Sequence, residues 1–267
     1  MKNILELEVT SDSKVAFERI NRQGFALVDL GIPSEFVEAM KQKLVQLVEA
    51  DLSDLSKNPF YRDHWMVMNL MFRDQIFADL IGKPQIQNLV EPILGEPFII
   101  YSFTSSSMPA GGTNFSRRIH NDAPRFIPGY VTNVGLVIAL DEFTSLNGAT
   151  QALPFSQNRE DKPSEEEFSN ECIEILAKPG HGLLFNARLW HSGGQNQSDK
   201  PRNALTLNFC RSYMRQHFDF WSMYEKNGET TLNEQARKLI GERVRMPKSL
   251  DEYYVSTEDR KYQPGQG

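Results

Sequence analysis

The sequence predicts a mainly β protein with flanking helices (α+β), built as a double-sheet jelly roll under an outer helical layer. Three observations predict it. Helical periodicity is confined to the stretch before residue 95 and the stretch after 213, while residues 96–212 read as a run of short strands. No strand–helix–strand rhythm is present, which argues against the parallel-sheet classes. Two of the middle strands have unlike faces, one bulky and apolar, the other small or polar, as the wall of a cavity under a covering layer requires. On this reading residues 1–267 form one domain: a helix-rich part at 1–95, a jelly-roll core at 96–212 and a helical part at 213–267.

The elements follow in order. Residues 13–22 predict a short helix, and Gly24 separates it from a strand over 25–30 that Gly31 and Pro33 end. Ser34 stands at an N-cap position. Phe36, Val37, Met40, Leu44, Leu47, Val48 and Leu52 recur at three- and four-residue spacing, which makes an amphipathic helix suited to covering a sheet. Residues 53–75 are mixed and aromatic, periodicity leaves their state open, and His64 among them reads as structural or superficial. Residues 84–94 predict a further helix, closed by Gly95 and Pro97.

Beyond Pro97 the pattern changes to strands. Residues 98–103 are β-rich, and a Pro/Gly-rich loop over 108–113 leads on to Ile119. In the strand over 131–140, Asn133, Gly135, Val137 and Ala139 form a small face, and Thr132, Val134, Leu136, Ile138 and Leu140 a bulky one. Asn147-Gly148-Ala149-Thr150 predicts a turn, Glu165-Glu166-Glu167 a solvated loop or helix, and residues 173–176 a short strand. Pro179-Gly180-His181-Gly182 turns the chain into a strand over 183–190 that delivers His191. In the next strand Arg202, Ala204, Thr206 and Asn208 share one face, with Asn203, Leu205, Leu207 and Phe209 on the other. The apolar face belongs against the covering layer, so the polar face looks into a cavity.

The chemistry gathers at that cavity. Ile119-His120-Asn121-Asp122 sets an imidazole and a carboxylate two residues apart, close enough to grip one metal ion. A divalent iron site of the two-His, one-carboxylate kind needs a second His and leaves three positions open. His191, before Ser192-Gly193-Gly194, is the candidate. Taken singly, His120 or His191 reads as a satisfied core residue; taken with Asp122 they read as ligands. His181, in its turn, and His217, in an aromatic segment, read as structural or substrate-facing. Arg202 could hold an anionic co-substrate; a surface salt bridge is the alternative, against which the polar face it shares with Thr206 and Asn208 argues.

These residues resemble the phytanoyl-CoA dioxygenase family of iron(II)- and 2-oxoglutarate-dependent oxygenases. The resemblance runs from the Gly24-Phe25 strand to about Asp219. It is carried by Ile119-His120-Asn121-Asp122, by Leu140-Asp141-Glu142-Phe143-Thr144 with Asn147-Gly148-Ala149-Thr150, and by Arg188-Leu189-Trp190-His191-Ser192-Gly193-Gly194 running to Lys200-Pro201-Arg202. It implies a double-stranded β-helix, the cupin-like jelly roll, with Fe(II) on His120, Asp122 and His191. It also implies 2-oxoglutarate as co-substrate with its distal carboxylate on Arg202, and O2 at the position left open. Asn133 and Thr206 are further candidates for co-substrate contact, Asn133 equally for the substrate. Related halogenases replace the carboxylate by a small residue; Asp122 stands here, which implies oxygenase chemistry, with no catalytic residue required beyond the metal ligands. Arg117 departs from the Gln that many members carry there, and Gly193 from a Ser that in some members touches the co-substrate.

Composition bounds the partners. A net charge of −6 without a concentrated basic run argues against nucleic acid and anionic membranes, and no segment has the length of a membrane span. The N-terminus lacks the apolar core of a signal peptide, so the expectation is a cytoplasmic protein, monomer or homodimer. Cys172 and Cys210 lack the spacing of a zinc or redox site. Arg117, Arg118, Arg125, Arg211 and Arg215 flank the presumed pocket mouth, and strand alternation favours Arg118 and Arg125 as substrate contacts, with Asn208 on the polar wall. Salt bridges to surface carboxylates are the plainer reading of these cations. The substrate expected is a small polar metabolite or biosynthetic intermediate, most simply hydroxylated; desaturation, cyclisation and epimerisation begin with the same hydrogen abstraction. Two other classes stay open: a jelly-roll binding protein that has lost the reaction, and a zinc hydrolase, for which no extra general base stands out.

Overall fold

A computed structural model describes residues 7–55, 65–123, 125–256 and 258–259. The expectation for His64 lies outside them. Asp12 opens α1 (Ser13–Gln23) by accepting from the backbone N–H of Lys14 and Val15, and Gly24 closes it at φ 95°, a conformation that favours glycine. The chain then enters β1 (Phe25–Asp29). In α2 (Ser34–Leu55) Ser34 is the first helical residue rather than the cap; the Pro33 carbonyl accepts the first helical bonds, from Phe36 and Val37. α3 (Gln75–Ile81) answers the stretch that periodicity left open: Asp74 caps it, and one buried face carries Phe77, Ala78 and Ile81. Next comes α4 (Pro84–Leu94).

The strands that follow alternate between two layers. β2 (Phe98–Ser105), β3 (Asn133–Ala139), β6 (His181–Asn186) and β8 (Ala204–Arg211) join β1 in a five-stranded antiparallel sheet of order β1-β6-β3-β8-β2. β4 (Thr150–Ala152), β5 (Ile173–Ile175) and β7 (His191–Gly193) form a three-stranded sheet of order β5-β4-β7. A bridge between His120 and His191 adds the dyad segment beside β7. From β2 onward the chain therefore crosses from one sheet to the other and back, which is the double-stranded β-helix, a jelly roll.

The expected long strand over 183–190 is two elements. β6 ends at Asn186, where Leu189 N–H bonds the Asn186 carbonyl and Arg188 N–H the Asn186 side chain. This tight turn passes the chain to the small sheet, and His191 opens β7 instead of ending a strand. Periodicity missed the break because apolar residues continue on both sides of it: Leu183 and Phe185 before it and Leu189 after it pack in the same core between the sheets, while Leu184 faces the outer core.

The large sheet has two apolar faces of different kinds. Val134, Leu136, Ile138, Leu205, Leu207 and Phe209 pack outward in one core with Met40 and Leu44 of α2 and Val90 of α4. Phe25, Leu27, Leu183 and Phe185 point inward and meet Ala152 and Ile175 of the small sheet. α5 (Glu165–Glu171), α6 (Phe220–Asn227), α7 (Glu234–Leu239) and the short α8 (Leu250–Tyr253) complete the described elements. Among the described residues no helix is long and apolar enough to cross a membrane.

Candidate metal and co-substrate site

The small-faced, polar-faced wall read from the sequence is the inner face of the large sheet. Ala204 packs with Phe143, the Arg202 guanidinium lies 4.3 Å from the centre of the same ring, and Asn208 reaches Asp122, so one side of β8 and its approach looks inward. Thr206 lies between Val137 of β3 and Thr104 of β2 on that side.

His120, Asp122 and His191 come together at the mouth of this face, each offering one ligand atom, all within 4.8 Å of one another. Backbone bonds place them: His120 and His191 exchange N–H···O bonds of 3.0 and 2.9 Å, and Asp122 N–H donates to the Ala187 carbonyl at 2.8 Å. Each imidazole has its Nδ1 bonded to a carbonyl, His120 to Arg118 at 2.7 Å and His191 to Leu189 at 2.9 Å. That sets the tautomer with the proton on Nδ1 and leaves both Nε2 lone pairs free for a metal. Phe185 meets the His191 ring edge-on at 5.0 Å and walls it off from the interior. Burial, and after it the neighbouring His191, push the His120 pKa down to about 4 against the pull of Asp122, so this imidazole is neutral near pH 7. A borderline-soft divalent ion fits two neutral imidazoles and one carboxylate on one face.

Arg202 is only 2% exposed, its Nε has no partner, and among the described residues its guanidinium makes no side-chain hydrogen bond. Burial lowers its pKa to about 10, and Asp141 opposes the shift. Asp141 is itself engaged, by Lys41 at 2.7 Å and by the Asn203 backbone and side-chain amides. A buried cation that meets no anion among the described residues and lies over an aromatic ring is a cradle for a carboxylate.

The remaining candidates sort differently. Asn133 and Asn208, 3% and 4% exposed, form a chain in which Asn133 Nδ2 donates to Asn208 Oδ1 at 3.0 Å and Asn208 Nδ2 lies 3.5 Å from Asp122 Oδ2. Arg118 is exposed and lies over the Phe115 ring at 4.0 Å; Arg125 is exposed; Arg117 donates to Gln195. The plainer reading of these cations as ion-pair partners fails: among the described residues none of Arg117, Arg118, Arg125 and Arg215 pairs with a carboxylate. Arg211 differs, for it bonds the Val131 and Leu94 carbonyls and belongs to the scaffold. His181 heads β6, and His217 stacks on Tyr101 at 5.8 Å.

Two residues with site roles were not separated out by sequence reasoning. Arg188, 7% exposed, donates to the carbonyls of Ala123, Arg159 and Glu160, and so staples the chain just after Asp122. Its signal was its place in the Arg188–Gly194 motif. Ser116 explains Gly193: a side chain at 193 would run into the Ser116 hydroxyl and the Met108 methyl.

Residues 20–204 match the family model described as phytanoyl-CoA dioxygenase. The chain belongs to the phytanoyl-CoA dioxygenase family. It is a 2-oxoglutarate-dependent non-haem iron dioxygenase. An uncharacterized protein of Mycobacterium tuberculosis is 29% identical to this dioxygenase over 260 residues, 94% of each chain. Among solved structures, AviO1 from Streptomyces viridochromogenes is similar with a TM-score of 0.65 at 19% identity, over 77% of this chain and 98% of that one. EctD from S. alaskensis with 2-oxoglutarate and 5-hydroxyectoine has a TM-score of 0.61 at 17% identity, over 75% and 77%. At these identities the two structures speak for the shared jelly roll of the dioxygenase.

Proposed function

We propose that this dioxygenase hydroxylates a small polar metabolite or biosynthetic intermediate, with iron(II) held by His120, Asp122 and His191 and the distal carboxylate of 2-oxoglutarate by Arg202. The observation that carries the reading is the buried Arg202 guanidinium, which meets no anion among the described residues, together with three converging ligand atoms whose Asp122 is reached by Asn208 from the inner face of the large sheet. Iron(II) held by His120, Asp122 and His191 would supply the oxidising chemistry, for a reaction in which 2-oxoglutarate and O2 yield succinate, CO2 and the hydroxylated substrate.

The chain's own residues do the rest. Arg202 receives the carboxylate on its fork of N–H donors, and the Phe143 ring beneath keeps water from competing. Thr206, two turns of the pleat further along the same face, offers a hydroxyl to the co-substrate. The carbonyls of Arg118 and Leu189 hold the Nδ1 atoms of His120 and His191, so both rings present Nε2. Arg118 and Arg125, within three residues of the dyad and without a carboxylate partner among the described residues, attract a substrate carrying oxygen-rich or anionic groups. EctD, the related fold with 5-hydroxyectoine bound, is in keeping with a small hydrophilic substrate.

The test is iron- and O2-dependent conversion of 2-oxoglutarate to succinate, screened across sugar, amino-acid and acyl substrates. Stimulation by small polar compounds, lost in His120→Ala, Asp122→Ala and His191→Ala, is the expected result. Stimulation by acyl chains alone, indifferent to Arg118→Ala and Arg125→Ala, would overturn the substrate assignment.

A further inference from the structure

Asp122 has two carboxylate oxygens, and a site that must keep three metal positions open can spare only one of them. We propose that Asn133 and Asn208 are positioning residues that reserve one oxygen of Asp122 for the metal by occupying the other. The proposal rests on the reading of His120, Asp122 and His191 as iron ligands. Asp122 Oδ1 lies 3.6 Å from His120 Nε2, on the side where the ligand atoms converge. Asp122 Oδ2 faces Asn208 Nδ2 at 3.5 Å, and Asn208 Oδ1 accepts from Asn133 Nδ2 at 3.0 Å.

The direction of this chain follows from charge. An ionised carboxylate only accepts, so Asn208 must turn its NH2 to Asp122 and its carbonyl to Asn133, which must answer with its own NH2. Asn133 Oδ1 is then left over, and of the side-chain atoms of Asn133, Asn208 and Asp122 it is the one buried without a partner. Flipping both amides would put Asn133 Nδ2 in that partnerless place instead and set the Asn208 carbonyl against the carboxylate. One group at the far end goes unpaired either way, and only the observed direction keeps a donor on Asp122. The backbone of Asp122 is fixed independently through Ala187, so what the amides govern is the turn of the carboxylate itself.

The chain is also rigidly mounted. Asn133 and Asn208 open and line adjacent strands, with Asn208 opposite Gly135 and Asn133 opposite Cys210 in the β3–β8 register. Both side chains are more than nine-tenths buried, so water does not replace either donor.

The experiment is anaerobic titration of Co(II) into the metal-free full chain, followed by visible absorption, with thermal unfolding run in parallel. Asn208→Leu should bind Co(II) about 10- to 100-fold more weakly and with an altered spectrum as the carboxylate becomes free to offer both oxygens. Asn133→Leu should shift both readouts the same way and less. Asp122→Ala is the reference. If Asp122→Ala loses Co(II) while Asn208→Leu keeps the wild-type affinity and spectrum, the positioning role is overturned and the metal site stands. If Asp122→Ala binds as the wild type does, the metal reading fails and takes the proposal with it. Should Asn208→Leu not fold, Asn133→Leu decides by the same two readouts: an unchanged affinity and spectrum overturns the role.

Discussion

Arg202 is a buried ionisable residue and His120 a half-buried one, and each makes a prediction of opposite kind. Arg202 meets no anion among the described residues, and on the proposed reading the co-substrate completes it. Removing one partner of such a buried pair costs about 3–5 kcal/mol, or roughly two to three and a half orders of magnitude in affinity. Arg202→Ala should therefore weaken 2-oxoglutarate by that factor and the primary substrate far less, as read by titrating each in turn. His120 is the reverse case, a group that stays neutral. Its folded pKa of about 4 lies below the ordinary 6.5, chiefly through burial and then through His191, with Asp122 and the Arg118 carbonyl pulling up and the Arg118 charge pushing down. Between these values the unfolded chain binds the extra proton and the folded one does not. The stability of the metal-free protein is thus full above pH 6.5 and falls as the pH drops toward 4, by up to about 3 kcal/mol. Urea midpoints at pH 7 and pH 5 check this, and His120→Gln should flatten the difference.

At the scale of elements, the turn from β6 into β7 decides the site. Two strands that belong to different sheets are joined by Ala187, Arg188, Leu189 and Trp190, and this connection supplies the Ala187 carbonyl to Asp122 and the Leu189 carbonyl to His191. Arg188 then ties it to the Ala123, Arg159 and Glu160 carbonyls. A hydrogen bond to a charged donor contributes about 1.5–3 kcal/mol. Arg188→Ala should lower stability by at least that much in urea unfolding and also weaken Co(II) binding, because the chain after Asp122 is no longer held; loss of stability with unchanged metal affinity would confine Arg188 to the scaffold. The partner strand makes a second case. Gly193 is followed closely by Ser116 and Met108, so Gly193→Ser should destabilise by about 1–3 kcal/mol through overpacking, and Gly193→Ser with Ser116→Gly should recover part of it. Differential scanning of the single and double variants measures both.

For the molecule as a whole, one outward core joins the helical layer to the large sheet, from Ala16 and Ile20 of α1 to Phe220 of α6 and Leu239 of α7, and the site lies on the opposite face of that sheet. A cavity made in the outer core should thus lower stability and spare the ligand geometry: Leu136→Ala is expected to cost about 2–5 kcal/mol with Co(II) affinity unchanged. The sequence alone determined a good deal of this arrangement. The period of two in β3 and β8 separates Val134, Leu136, Leu205 and Leu207 from Gly135, Thr206 and Asn208, because each strand's alternate side chains must face either helices or cavity. The three-and-four spacing from Val37 to Val48 likewise specifies the covering face of α2, and the His-x-Asp spacing with a later His specifies a ligand set. Other features had no local signal. The break at Asn186 leaves no mark in the hydrophobic pattern, since Leu183 and Phe185 before it and Leu189 after it pack in one core between the sheets. Asn133 and Asn208 are 75 residues apart, and no spacing rule says that their amides meet or that Asp122 dictates their direction. For Arg117, Arg118 and Arg125 the sequence left salt bridges and substrate contact both open. Among the described residues the folded chain pairs none of them with a carboxylate, because pairing across a surface is set by tertiary distance and not by composition.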